Sequence, residues 1–207
     1  MTLNQENTKE SSAKKADRGH ERRKTILWAL HDCMISKGYN QTTLADIAKA
    51  AKMYPSHLLY YFDGKEAILQ QYFKNVSKQI KTRLHAISST EPRQQIDDLA
   101  DLFFGGAGIT KSEIGLMLEC FGVAVNDKVL QQEKSELDAA CKAYLRELIK
   151  ESPGVFIANI SDAAEVAYAT LIGLRTAVYF DRGFELDEAH RVFHKTMLKM
   201  TGLKPLE

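Results

Sequence analysis

Apolar residues recur three and four positions apart along nearly the whole chain, and this spacing places them on one face of an α-helix. No segment alternates apolar and polar residues as a half-buried β-strand does, and only four prolines interrupt the pattern. The sequence therefore predicts an all-α protein. A first helix is predicted over about 21–37, and the polar residues 1–19 before it are predicted to form a flexible basic arm.

Two further short helices are predicted to follow the first one closely. The first helix ends at Gly38, where a left-handed residue would fit. Thr42 or Thr43 caps the second helix, and Thr43 with Asp46 has the spacing of a capping box. Pro55 suits the first position of a third helix, which can be only about two turns long.

Longer helices are predicted over the rest of the chain. The fourth begins near Lys65 and carries a long apolar stripe, formed by Leu69, Phe73, Val76, Ile80, Leu84 and Ile87. Thr110, Asn126 and Asp187 are predicted to start later helices. The glycine-rich run 105–108 is predicted to be a flexible break, but it lacks the strand and the Lys-Ser/Thr of a phosphate-binding loop.

The most apolar segment, Val166–Phe180, predicts a helix that is buried on most sides. It is too short for a membrane span and contains Arg175, and the N-terminus lacks the apolar core of a secretory signal, so we expect a cytoplasmic protein without membrane contact. Cys33, Cys120 and Cys141 are too widely spaced for a disulfide framework or a thiolate zinc site, and we expect them to be small buried apolar residues.

Charge is distributed unevenly along the chain, although the net charge is only +1. Residues 18–85 contain twelve Lys and Arg against five Asp and Glu, a net charge of +7. Residues 86–207 contain thirteen against nineteen, a net charge of −6. This asymmetry favours a polyanionic partner for the front half of the chain, and the alternative is an accidental asymmetry in which both surfaces are simply solvated.

The third predicted helix is too short to bury more than one narrow face. Leu58 and Phe62, four positions apart, are predicted to be its buried anchors. Its other polar and aromatic positions are then predicted to face outward: Ser56, His57, Tyr60 and Tyr61. Hydroxyl and imidazole groups on such a helix suit contacts with phosphates and base edges in a DNA major groove. The alternative is that Tyr60 and Tyr61 pack between the first and fourth helices.

The spacing of these residues closely resembles the N-terminal domain of TetR-family transcriptional regulators. The residues that carry the resemblance are Ile26-Leu27, Gly38-Tyr39, Thr42 to Ala48, Leu58 to Phe62 and Lys65-Glu66. The resemblance implies an all-α homodimer of about nine helices. It divides the chain into the arm (1–19), a helix-turn-helix DNA-binding domain (20–66) and a ligand-binding and dimerisation domain (67–207). It further implies binding to a palindromic operator, usually as a repressor released by a small molecule.

The same resemblance implies roles for individual residues. Thr43 and Lys65 match phosphate contacts at the starts of the second and fourth helices, and Tyr61 matches an aromatic residue that contacts the DNA backbone. Residues 54–57 match the turn and the opening of the recognition helix, where bases are read. The predicted DNA-binding residues are Thr43, Lys52, Tyr54, Pro55, Ser56, His57, Tyr60, Tyr61 and Lys65.

The chain also departs from the family pattern in the turn between the second and third helices. Lys52 stands where the family usually has glycine, so either the turn differs or Lys52 adopts a left-handed conformation at some cost. Tyr54 replaces the usual serine cap, and Pro55 offsets part of that loss because it presets the helical backbone. Leu59 stands where many members have a phosphate-binding tyrosine.

The back half is expected to provide dimerisation and effector binding. Val166–Phe180 and Asp187–Met200 resemble the helix pair that forms a four-helix bundle with a second chain. The residues predicted to line a mostly apolar effector site are Phe103, Phe104, Met117, Phe121, Tyr144 and Arg175. Arg175 must find an acceptor, which is either a ligand carboxylate or phosphate, or an acid such as Glu119, Glu165 or one from the dimer mate.

Other function classes find little support in the sequence. No constellation indicates an enzyme, and no cofactor or metal is predicted. His190 and His194 share a helix face and are the right type for zinc, but no third ligand is evident, so an exposed or dimer-interface pair is the preferred interpretation. The competing function is a helical interaction or small-molecule-binding module without specific DNA binding, which would show no affinity for duplex DNA even at low salt.

Overall fold

The computed structural model describes residues 3–105, 109–154 and 159–204, with side chains from Arg18 onward. The described residues form nine α-helices and no β-strand, which confirms the all-α prediction. The helices are α1 (Leu3–Lys37), α2 (Leu44–Ala50), α3 (Pro55–Leu59), α4 (Lys65–Ile87), α5 (Pro92–Phe104), α6 (Lys111–Ala124), α7 (Lys128–Lys150), α8 (Ile160–Phe180) and α9 (Leu186–Thr201).

Helix α1 is longer than predicted. Its backbone is helical from Leu3, so residues 3–19, predicted to be an irregular arm, continue into the helix. The stretch lacks the apolar stripe that sequence patterns detect, but it contains no proline and no glycine before Gly19. Its Gln, Glu, Lys and Ala residues have high helix propensity, so nothing ends the helix there.

The starts of α2 and α3 agree with the prediction. The Thr43 hydroxyl accepts a hydrogen bond from the Asp46 N–H at 3.2 Å, and the Thr43 N–H donates to the Asp46 carboxylate at 2.8 Å, which completes the capping box. Gly38 ends α1 with φ of 78°, and Pro55 is the first residue of α3.

The capping box also ties α2 to α1. The Lys37 ammonium group, in the last turn of α1, lies 2.6 Å from the Asp46 carboxylate. Hydrogen bonds from Lys37 and Thr43 hold the pKa of Asp46 well below its usual range. The Asp46 carboxylate therefore accepts a main-chain hydrogen bond at the start of α2 and also pairs with the last turn of α1.

Two later helices begin at residues other than those predicted, and the Thr110 cap is confirmed. Asp127 caps α7 in place of Asn126, because its carboxylate accepts hydrogen bonds from two main-chain N–H groups of the first turn. Helix α9 follows Glu185, so Asp187 lies within the first turn. There its negative charge interacts favourably with the free main-chain N–H groups of the helix start.

Helix α8 begins at Ile160, after an Asn159 cap, and therefore starts six residues before the predicted Val166. It is buried on one side: Ala163, Ala164, Ala167, Tyr168, Leu171 and Val178 face the interior. Val166 and Phe180 are 47% and 67% exposed, so the single chain leaves part of this apolar helix uncovered. None of the helices in the described ranges is long and apolar enough to cross a membrane.

Contacts divide the chain into two units, Met1–Tyr72 and Phe73–Glu207, and the division falls inside α4. In the N-terminal unit α2 packs against α1 and α3. Its core consists of fully buried side chains that include Ile26, Leu30, Ile47, Leu58 and Ile68. The shortest helices of the chain are thus held by a compact apolar core.

In the C-terminal unit α8 packs against α6, α7 and α9, and α9 packs against α5. Its fully buried side chains include Phe73, Ile96, Ile114, Leu130 and Phe193. Cys120 and Cys141 belong to this core, and burial raises the pKa of each thiol to about 12. Gly105 ends α5, and the remainder of the predicted glycine break, 106–108, lies outside the described residues.

His190 and His194 on α9 pair with acids on α5 of the same chain. The His190 Nε2 lies 2.8 Å from the Asp101 carboxylate, and the His194 Nε2 lies 2.6 Å from Asp97, which also pairs with Arg93. Acids on α5 recur every four residues, as the histidines do on α9, so each ring finds its own partner.

The capping box makes a prediction for stability. Replacing Thr43 by alanine removes the acceptor for the Asp46 N–H, so the free energy of unfolding should fall by about 1 kcal/mol. Urea unfolding of the full chain measures this change. Thr43→Ser keeps the hydroxyl and should stay within a few tenths of a kcal/mol of the wild type. An unchanged midpoint for Thr43→Ala would show that the cap contributes nothing.

Candidate functional site

Helix α3 presents most of its side chains outward. Leu58 is completely buried and Phe62 is 9% exposed, which confirms both anchors. Tyr54 and Tyr60 are 73% and 79% exposed. Between them, Pro55, Ser56 and His57 are also exposed. The prediction of an outward face is confirmed for these residues. Tyr61 was also predicted to face outward, but its side chain is half-buried.

The exposed aromatic residues border a concavity of about 630 Å³ in the N-terminal unit, lined by Arg22, Lys49, Lys52, Met53, Tyr54, His57, Tyr60 and Tyr61. The Tyr54 and His57 rings meet edge to face at 5.8 Å, and the Tyr60 and Tyr61 rings do so at 5.1 Å. The Arg23 guanidinium lies 5.7 Å from the centre of the Tyr61 ring. Cations and hydrogen-bonding aromatic groups thus share one surface.

Arg22, Lys49 and Met53 line this concavity, although the sequence analysis did not assign them to the site. The only signal for the two cations is the basic excess over residues 18–85, which identifies a region and no individual residue. Their position on the same surface as α3 follows from the packing of α1, α2 and α3.

The turn between α2 and α3 depends on a left-handed lysine. Lys52 has φ of 54°, so the second of the two predicted alternatives is the one observed. Its N–H donates to the Lys49 carbonyl at 3.1 Å, and the Met53 N–H donates to the Ala48 carbonyl at 2.9 Å. These two bonds form a Schellman motif with Lys52 at the position that usually holds glycine. A charged side chain therefore lies at the left-handed corner of this turn.

Thr43 and Lys65 each have a structural partner within the unit. Thr43 caps α2, and its side chain is exposed. The Lys65 ammonium donates a hydrogen bond to the Tyr39 carbonyl at 3.1 Å and lies 4.0 Å from the centre of the Tyr39 ring. Lys65 thereby joins the start of α4 to the segment that follows α1.

The residues predicted for an effector site are brought together only in part. The Arg175 guanidinium donates to the Phe103 carbonyl at 2.7 Å and lies 5.9 Å from the Phe103 ring. Phe104 packs on Phe193 of α9, with ring centres 5.5 Å apart, and serves the core between α5 and α9.

Tyr144 and Phe121 contact other helices of the C-terminal unit. The Tyr144 hydroxyl donates to the buried Gln95 side chain at 2.9 Å, and burial raises the pKa of this phenol above its usual range. Phe121 packs edge to face on Phe73 of α4 at 6.2 Å. Met117, one turn before Phe121, is half-buried.

Glu165, one of the acids predicted as a partner for Arg175, pairs with Lys142 at 2.6 Å. Instead, Arg175 uses a main-chain carbonyl in the last turn of α5, where carbonyls have no partner within the helix.

Comparison with known proteins agrees with the geometry of the N-terminal unit. Residues 26–72 match the sequence model of a protein family, the bacterial regulatory proteins of the tetR family. The HTH-type transcriptional regulator YttP of Bacillus subtilis is 31% identical over 64 residues, which are 29% of this chain and 31% of that protein. The chain thus spans less than a third of the curated relative that it matches.

Solved structures match nearly the whole chain. A transcriptional regulator from Rhodococcus superposes with a TM-score of 0.75 at 13% identity and covers 86% of this chain and 95% of its own. A TetR transcription regulator from Haloarcula marismortui gives 0.76 at 18% identity, over 87% and 98%. These similarities confirm the fold, and the family that matches residues 26–72 is one of regulatory proteins, not of enzymes.

The left-handed turn makes a second prediction. A left-handed conformation costs an L-residue about 1 kcal/mol, whereas glycine adopts it freely. The free energy of unfolding of Lys52→Gly should therefore be about 1 kcal/mol higher than that of Lys52→Ala. The alanine variant removes the same charge but keeps the strained backbone. Urea unfolding measures both variants, and equal values for the two would contradict the strain argument.

Proposed function

We propose that this chain, which belongs to the TetR family of bacterial regulatory proteins, binds operator DNA as a homodimer and represses transcription until a small molecule releases it. The observation that carries the proposal is the outward face of α3. A helix anchored by Leu58 and Phe62 alone displays Ser56, His57 and Tyr60 to solvent, and these groups suit base edges in a major groove.

The charge of the N-terminal unit supports contacts with the DNA backbone. Arg22, Lys49 and Lys52 line the same concavity as the exposed residues of α3, and we expect them to neutralise phosphates beside the groove. We include Thr43 and Lys65 among the phosphate contacts, because both lie at helix starts, where free main-chain N–H groups also favour an anion. Tyr61 contributes through the edge of its ring.

The uncovered face of α8 supports the homodimer. Val166, Ala169, Gly173 and Phe180 are exposed and recur every three, four or seven residues along one side of the helix. Small and apolar residues on one stripe allow two helices to approach closely. A two-fold axis through this face would bury it on both chains and would present two copies of α3 to an operator with matching symmetry.

Release by a small molecule requires that the C-terminal unit affects the N-terminal unit. Helix α4 contributes its first turns to the N-terminal unit and the remainder to the C-terminal unit, so a shift of the helix reaches both. A ligand bound near Arg175, Phe103, Met117 and Phe121 would change the spacing of the two α3 helices. Its effect is limited by its difference in affinity for the two spacings.

Two further structural neighbours are a regulator in complex with choline and a regulator of fatty acid degradation. One, from Saccharomonospora viridis, was solved in complex with choline and superposes with a TM-score of 0.77 at 19% identity, over 87% of this chain and 96% of its own. Another is FadR of Bacillus halodurans, a fatty acid degradation regulator, with a TM-score of 0.64 at 18% identity, over 84% and 97%. At 18–19% identity these neighbours share the fold with this chain, so the identity of an effector has to come from this chain's own residues.

Duplex DNA selected from a random pool tests the proposal. The full-length protein should enrich a sequence with two-fold symmetry, and its affinity should fall steeply as salt rises, because phosphate contacts release counterions. His57→Ala and Tyr60→Ala should weaken binding to the selected duplex about tenfold or more. Fluorescence anisotropy measures these affinities.

Two lysine variants provide the control. Lys49→Ala should weaken binding to all duplexes alike and reduce the salt slope by about one. Lys128→Ala removes an exposed lysine at the start of α7 in the C-terminal unit and should leave both quantities unchanged. Absence of duplex binding even at low salt would reject the regulator and favour an interaction module.

The homodimer is tested by a pair of glycine variants. Gly173 on α8 and Gly122 on α6 are both exposed, and a Cβ added at either meets nothing within 4 Å. Light scattering at micromolar concentration should give twice the chain mass for the wild type and for Gly122→Glu. Gly173→Glu places a charge on the apolar stripe and should give the mass of one chain. A dimer that survives Gly173→Glu would show that this stripe is not the interface.

A further inference from the structure

Arg175 is an unusual charge because it lies in the interior of an apolar helix. It belongs to α8, whose inward face is otherwise formed by alanine, leucine, tyrosine and valine. Desolvation lowers the pKa of its guanidinium to about 10, and Tyr168 and Glu113 oppose this shift. The group stays charged at neutral pH and therefore needs an acceptor inside the unit.

The described residues satisfy this need only in part. A guanidinium has five N–H donors, and the one hydrogen bond that Arg175 makes within the described ranges goes to the Phe103 carbonyl at 2.7 Å. That carbonyl is a neutral dipole at the C-terminal end of α5, which attracts a cation but does not neutralise it.

Two acids on α7 and α8 are engaged by other side chains. Glu165 pairs with Lys142 at 2.6 Å, and Asp138 pairs with Lys134 at 2.6 Å and also accepts a hydrogen bond from the Tyr168 hydroxyl. The Glu113 carboxylate acts on Arg175 electrostatically and opposes the lowering of its pKa. The two ion pairs also neutralise Lys134 and Lys142, whereas Arg175 donates its hydrogen bond to a neutral carbonyl.

The surroundings of this charge are apolar. Met117 and Phe121 follow Glu113 at intervals of four residues, so they share the face of α6 that carries it. Helix α6 packs against α8, and Phe103 lies directly beside the guanidinium. All of these side chains are buried or half-buried. A molecule that reached Arg175 would therefore contact apolar and aromatic surface over most of its length.

We propose that Arg175 binds the carboxylate of an effector that carries one negative charge on an apolar skeleton. A carboxylate matches the planar fork of the guanidinium and accepts two parallel hydrogen bonds from it. A phosphate ester with two charges would need a second cation, and Lys134 and Lys142 are already paired with acids. The inference rests on the proposed function for the role of this ligand as effector, whereas the binding site itself follows from the residues of the C-terminal unit.

Matched pairs of small molecules test the proposal. Decanoate, 3-phenylpropanoate and 1-naphthoate are each compared with the primary amide of the same skeleton, by calorimetry and by thermal melting of the full-length protein. At least one carboxylate should bind about tenfold more tightly than its amide, because a charged hydrogen-bonded contact distinguishes the two. If no carboxylate binds more tightly than its amide, the proposal is overturned.

Variants identify the residue responsible. Arg175→Gln should abolish the preference for the carboxylate while leaving amide binding within about twofold of the wild type, and Arg175→Lys should retain part of the preference as a point charge. Arg146→Gln removes an exposed arginine of the same unit and should change nothing. A preference that persists in Arg175→Gln would place the anion elsewhere. If Arg175→Gln does not fold, Arg175→Lys and the wild-type ligand pairs still decide.

The outcome is separable from that of the DNA experiment. Specific duplex binding without any preference for carboxylates would reject this inference and leave the regulator standing. A carboxylate that binds through Arg175 in a protein without duplex affinity would establish the site and reject its role in DNA release. If the carboxylate binds and also weakens duplex binding in wild type but not in Arg175→Gln, both proposals are supported.

Discussion

The N-terminal unit depends on the burial of two side chains, Leu58 and Phe62, on a helix of only five residues and the turn after it. So short a helix is not stable alone, because ordering the backbone of the first turn costs more free energy than its one hydrogen bond contributes. Tertiary packing of this narrow face therefore fixes α3, and every other side chain of the helix is left to solvent. Because α3 buries only one narrow face, its remaining side chains form an exposed surface that suits a DNA groove.

The same unit keeps a strained residue in its turn. A Schellman motif closes α2 through Lys52, whose left-handed backbone would be easier for glycine. The lysine side chain lines the concavity beside α3, so a position with a stability cost carries a charge where an anionic partner would meet it. Conformational strain of this kind persists where the surrounding contacts determine the backbone, and here the two hydrogen bonds of the motif do so.

Much of this architecture follows from local sequence rules. The capping box at Thr43, the proline at the start of α3 and the anchors of α3 are encoded within a few residues, and the structure agrees with them. Predictions were wrong where the sequence has no strict pattern. The polar start of α1 has helix propensity but no apolar stripe. Adjacent Asn126 and Asp127 are both good caps, so the sequence does not show which of them starts α7. The partners of Arg175 and His194 depend on which helices pack together, and periodicity does not determine that.

The uncovered stripe of α8 also concerns how the folded state responds to dilution. Apolar side chains such as Val166 and Phe180 stabilise a fold only when something removes them from water. If a second copy does so, part of the folding free energy belongs to the assembly and varies with the logarithm of protein concentration. A cell that keeps few copies of this chain would then hold it nearer to unfolding, so abundance and turnover become linked through a helix that touches no DNA.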